Sequence, residues 1–233
     1  MSDPVLELSD VSKDYRGLRP LRIDRLVVGA GESIAIVGLD QLSAEVFVNL
    51  VTGATLPDRG EVKVFGRTTA AIGDSAEWLA LVDRFGIVTP RAVLLDALSV
   101  IQNLAMPFTL EIEPPPADVA ARAAALAREV GLQDGEWLRQ VGELNDTARA
   151  RVMLARAVAL DPAILLLEHA SAPLSRDDAA AFGQHIRRIA SHRGASVVAA
   201  TADETFARAV AVRVLKLEPA SGRLSERRSW FRS

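Results

Sequence analysis

The chain reads as an α/β protein built on a parallel sheet. Three observations predict it. Residues 33–37, 163–167 and 196–200 are short, almost wholly apolar runs, the pattern of strands buried on both faces. Stretches of helical spacing separate them, the first with Val46, Phe47, Leu50 and Val51 on one face. The run at 33–37 leads through Gly38 straight into that helix, the strand–turn–helix opening of an α/β unit.

The elements follow in order. Val5, Leu6 and Leu8, then Leu21, Ile23, Leu26 and Val28, alternate with polar residues as strands do, and Gly29-Ala30-Gly31-Glu32 is a turn. Asp40 or Ser43 supplies the N-cap of the helix that ends at Val51. Pro57-Asp58-Arg59-Gly60 turns into a strand at 61–66. Residues 91–112 read as an apolar helix, broken by Glu113-Pro114-Pro115-Pro116. Residues 117–130 form an alanine-rich, solvated helix, and 147–159 another, closed by Asp161-Pro162. After the strand at 163–167 come a helix at 177–191, the strand at 196–200, a helix at 204–210 and a last strand at 212–218. The basic tail, residues 226–233, reads as a frayed end.

Composition excludes several classes of function. At 233 residues, 49% hydrophobic and 24% charged, the chain suits one large folded domain. With no cysteine it has no disulfide, thiolate nucleophile or thiolate metal site. A net charge of −3 argues against nucleic acid as a partner, because counterion release needs a basic face. The acidic start carries no apolar signal core, and no apolar stretch reaches membrane-spanning length. The expected location is cytoplasmic, peripheral on the inner face of a membrane. Of 27 basic residues only Lys13, Lys63 and Lys216 are lysines.

The order of motifs resembles the nucleotide-binding subunit of ATP-binding-cassette (ABC) transporters over nearly the whole chain. Ile36-Val37-Gly38, Asn49-Leu50-Val51-Thr52-Gly53 and residues 57–66 resemble that family's phosphate-loop helix and the strand after it. Glu143-Leu144 and residues 149–157, with Leu160-Asp161-Pro162 beyond, resemble its signature helix. Ile164-Leu165-Leu166-Leu167 stands where its second phosphate-site strand belongs. The resemblance implies a P-loop-NTPase-like (RecA-like) core sheet, an N-terminal antiparallel β subdomain and an α-helical subdomain. It implies one ABC-type domain over 1–233, with core and β subdomain at 1–90 and 159–233 and the helical subdomain at 91–158.

At the family's chemical positions the residues differ. A loop G-x-x-x-x-G-K-[ST] cradles phosphates on backbone N–H groups, neutralises them with its Lys and holds Mg²⁺ with its hydroxyl. Here the window is Gly38-Leu39-Asp40-Gln41-Leu42-Ser43-Ala44-Glu45, so the Lys position is Ala44 and the hydroxyl position Glu45. A carboxylate about 5 Å from one phosphate charge costs about 3 kcal/mol at an effective dielectric of 20. The absent Lys forfeits about 1.5–3 kcal/mol more. The metal-organising Asp is Glu168 and the general-base Glu is His169, the weak catalytic candidates. The signature loop is Leu144-Asn145-Asp146-Thr147-Ala148, the glutamine position Pro90, the phosphate-sensing histidine position Ala202, and the acidic end of the dimer-contact loop Ser175. Tyr15, at the adenine-stacking position, and Gly38 are the weak nucleotide-binding candidates.

The resemblance therefore implies a cassette-like subunit that does not hydrolyse ATP, with ATP and Mg²⁺ bound weakly or not at all and no metal site. Each family site lies between one subunit's phosphate loop and the other's signature loop, so neither a homodimer nor a heterodimer with an ABC subunit restores a complete one. The expected partner is a membrane permease subunit, docked in a groove near Val93, Leu94 and Leu95. Leu104-Ala105-Met106-Pro107-Phe108 resembles cassettes of lipid or lipoprotein traffic. Two alternatives remain open: a weak ATPase using Glu168 and His169, and a scaffold or sensor that binds another ligand in the vacated cleft.

Overall fold

The computed structural model describes residues 3–226; residues 1–2 and most of the tail, 227–233, lie outside it. The chain begins with an antiparallel hairpin, β1 (Pro4–Lys13) and β2 (Leu21–Gly29). β4 (Arg59–Val64) pairs with the free side of β1, and the short β5 (Arg67–Thr68) with β4, giving a sheet of order β2-β1-β4-β5. The second sheet has order β10-β9-β3-β8-β7-β6. Its members are β3 (Ser33–Val37), β6 (Phe85–Val88), β7 (Ile164–Glu168), β8 (Ser196–Thr201), β9 (Arg213–Leu217) and β10 (Leu224–Glu226). All pairings in it are parallel except β10 with β9.

Continuous apolar runs are needed because the middle strands feed two cores. Ala35, Leu165, Leu167, Val197 and Ala199 face one cluster, and Ile34, Ile36, Ile164, Leu166, Val198 and Ala200 the other. The period of two along each strand does this sorting. The second cluster is closed by α1 (Gln41–Val51) and the antiparallel sheet, through Phe47, Leu50, Leu8 and Ile23. The first is closed by α5 (Asp146–Val158), α6 (Arg176–Arg193) and α7 (Glu204–Val210).

α3 (Val100–Ala105) and α4 (Ala117–Glu129) pack with α5 into a helical layer at one end of the sheet. α4 is not purely solvated: Val119, Ala123, Leu126 and Ala127 are buried in it. The expected helix at 91–112 is corrected to α3 alone. Buried Asn103 takes over the backbone groups around it, its Nδ2 donating to the carbonyls of Leu95 and Ser99 and its Oδ1 accepting from Leu95 N–H. Those groups are therefore satisfied without a continuous helix, and Pro107 prevents extension beyond. Four of the named strands and helices have no counterpart in the sequence reading: α2 (Ser75–Val82), β5, β6 and β10.

Arg193 joins three elements. Its Nε and Nη2 donate to both oxygens of Glu129 at 2.7 and 2.6 Å, and its Nη1 donates to Val158 O at 3.0 Å and pairs with Asp161. The end of α6 is thus clamped to the ends of α4 and α5.

Candidate functional site

Ligand sites of parallel α/β sheets lie beyond the carboxyl ends of the strands. There β3 runs into Gly38, whose φ of +102° and approach to Leu217 O, 3.0 Å from where a Cβ would stand, require glycine. Asp40 then caps α1, settling the choice between Asp40 and Ser43. Its Oδ1 accepts from Ser43 N–H at 2.8 Å and from Ser43 Oγ at 2.6 Å. Those two hydrogen bonds hold its carboxyl below the usual aspartate range, the hydroxyl foremost, with a smaller contribution from His169. Replacing Asp40 by Ala is expected to cost about 1 kcal/mol, read by chemical denaturation. Because that pKa is lowered on folding, the cap's contribution is present near neutrality and fades as pH falls through it.

The remaining predicted residues gather around this turn. Tyr15 is half-buried, and burial, then the Asp40 charge, push its phenol up. Ala44 is fully buried in the core beneath α1. Glu168 ends β7, 1% exposed, and His169 follows in a left-handed conformation (φ 44°), its Nε2 buried without a hydrogen-bond partner.

The cation between the carboxylates comes from Arg91, a residue that no sequence pattern marks out. Its Nη1 donates to Glu45 Oε1 at 2.7 Å and its Nη2 to Glu168 Oε2 at 2.6 Å, while Nε reaches Thr89 Oγ1 at 3.3 Å. The partners stand 46 positions before and 77 after it in the chain, a separation no local pattern reveals. Among the described residues no group of three or more His, Asp or Glu side chains is placed to hold a metal ion.

The other helices at this end also carry their own caps. Asn145 Oδ1 accepts from Ala148 N–H at 2.8 Å at the start of α5. Ser175 Oγ accepts from Asp178 N–H at the start of α6, and Asp203 from Thr205 and Phe206 N–H at the start of α7, one residue after Ala202. A cleft of about 420 Å³ separates the sheet edge from α5, lined by Thr89, Pro90, Asp146, Arg149, Met153 and His169 among others.

A second hollow, about 310 Å³, lies between the sheet edge and the helical layer and is lined by Phe85, Ala92, Leu94, Pro107, Met153 and Arg156 among others. Of the three expected groove residues only Leu94 lines it. Val93 and Leu95 do not, because 89–98 is an irregular segment rather than one helix face. Val93 is 72% exposed and its carbonyl accepts from Arg156 Nη1 at 2.7 Å, whereas Leu95 is held through its backbone by Asn103.

The family model described as "ABC transporter" matches residues 22–172, and the chain belongs to that family. It is 27% identical over 217 residues to the methionine import ATP-binding protein MetN of Brucella abortus (strain 2308), covering 93% of this chain and 58% of that relative, so it spans little more than half of that protein. It is 30% identical over 215 residues to the lipoprotein-releasing system ATP-binding protein LolD of Chromohalobacter salexigens, covering 92% of this chain and 87% of the relative. The fold matches the dimeric structure of MJ0796, a bacterial ABC transporter cassette, with a TM-score of 0.76 and 22% identity, over 97% of this chain and all of that one. The α/β cassette fold with its antiparallel β subdomain and helical elements is thereby established. Among the described residues no helix is long and apolar enough to cross a membrane.

Proposed function

We propose that this ABC-family cassette is a regulatory or structural partner in a transporter-type assembly and does not hydrolyse ATP. The observation that carries the reading is Arg91. Glu45 and Glu168, at the positions where the family resemblance puts the two sides of the magnesium site, already share one guanidinium. A nucleotide-bound Mg²⁺ does not fit that arrangement without displacing it. Asp40 adds a fixed negative charge at the α1 N-terminus, where a phosphate would profit from the helix dipole. Ala44, at the lysine position, contributes no cation and is buried in the core.

In this reading residues 91–158 act as the helical subdomain against a core of 1–90 and 159–233. The hollow lined by Leu94, Met153 and Arg156 receives a segment of a membrane permease, which brings the protein to the inner membrane face. The methionine-import and lipoprotein-releasing relatives support a permease partner, and the second supports lipid-related cargo. A homodimer or a heterodimer with an ABC subunit is compatible with this role.

Titration with Mg·ATP, followed by calorimetry and thermal unfolding, tests the reading. The expected result is no micromolar binding and a stabilisation below about 0.5 kcal/mol at millimolar ligand. Micromolar affinity, or more than about 2 kcal/mol, would sink it. The Ala44→Lys/Glu45→Ser variant is expected to gain no micromolar site, because Asp40 and Arg91 remain in place.

A further inference from the structure

The segment 89–98 links β6 to α3 and carries one wall of the apolar hollow through Ala92 and Leu94. It is tied down along its length: Val93 O to Arg156, Leu95 N–H and O to Asn103, and Asp96 to Arg149 at 2.7 Å. Arg91 is its anchor on the sheet side. The guanidinium fork spans α1 and the end of β7 at once, a geometry that a lysine's single ammonium does not reproduce. Glu168 is 1% exposed, and a carboxylate that deep needs a charged partner. Arg91 is its ion-pair partner among the described residues.

We propose that Arg91 is a built-in cation that staples segment 89–98 to α1 and β7, so that the wall of the hollow keeps its shape without any nucleotide. The staple stands on the geometry alone; that the hollow receives a partner rests on the function proposed above. In such a cassette the docking surface is permanently formed rather than assembled by ligand.

Amide hydrogen exchange on the full chain tests this, with and without millimolar Mg·ATP, for the wild type, Arg91→Ala, Arg91→Lys and Arg91→Ala/Glu168→Gln. Wild-type amides of 91–98 are expected to be protected without nucleotide and unchanged by it. Arg91→Ala is expected to speed their exchange about tenfold or more beyond any speeding of β8, whose amides report the global loss of stability. Arg91→Lys, able to satisfy one carboxylate, is expected to fall between. The double variant, which removes the orphaned buried charge, is expected to recover melting temperature but not loop protection. That split separates a staple from a general loss of stability and keeps the test open if Arg91→Ala folds poorly. Unchanged loop exchange in Arg91→Ala, or full loop protection in the double variant, overturns the staple. Slowing of wild-type loop exchange by Mg·ATP overturns its independence of nucleotide. Calorimetric ATP binding with unchanged loop exchange supports the staple and counts only against the proposed function.

Discussion

Phe206→Ala is expected to lower the unfolding free energy by about 3–5 kcal/mol. Phe206 is fully buried in α7, beside β3 and β8, and its ring stacks on Phe182 of α6 at 6.3 Å between centroids. Truncation removes the transfer free energy of the ring and leaves a hole between two helices and a sheet that cannot all close on it. The stacking of the two rings adds to the loss. For a chain of this size the corresponding fall in melting temperature is about 6–20 °C. Denaturant titration should show a lower midpoint with an unchanged slope. A loss under about 1 kcal/mol would mean that α7 does not close the core.

Arg193→Ala is expected to cost about 2 kcal/mol near neutral pH, through the loss of a two-pronged charged contact with Glu129 and of the bond to Val158 O. Arg193 is 17% and Glu129 27% exposed, so solvent screens this contact less than a surface pair. The effect depends on pH with a definite sign. The Arg193 hydrogen bonds, aided by its charge and by His192 and His185, hold the Glu129 carboxyl below the ordinary glutamate range. A carboxyl lowered on folding stabilises above its unfolded pKa and loses that contribution as pH falls through the folded one. The gap between wild type and Arg193→Ala should therefore be full at about pH 6 and shrink towards about pH 3. A gap that stays constant down to about pH 3 would assign the stability to packing of the arginine stem rather than to the ion pair.

The strands of the central sheet were legible because burial on both faces selects apolar residues, which makes 33–37, 163–167 and 196–200 stand out. The helices were legible where periodicity and an end signal agreed, as at α1 with its capping Asp40 and at α5 with Asp161-Pro162 beyond it. β6 escaped notice because four residues with a glycine carry too little pattern. The stretch 91–112 misled for the opposite reason. Its apolar residues suggested a helix, but Leu94 is drawn into the core and Asn103 satisfies backbone that a helix would otherwise have to satisfy itself.

The candidate site divides in the same way. The order of most elements, the family resemblance, the glycine at 38 and the residue types at the phosphate-loop positions are local or nearly local properties, readable along the chain. Which charge meets which is fixed by folding in three dimensions. Glu45, Arg91 and Glu168 lie on separate elements and come together only when α1, the segment after β6 and the end of β7 converge at one edge of the sheet. Ion pairing depends on distance through space and on burial, and neither is written in the spacing of residues along a chain.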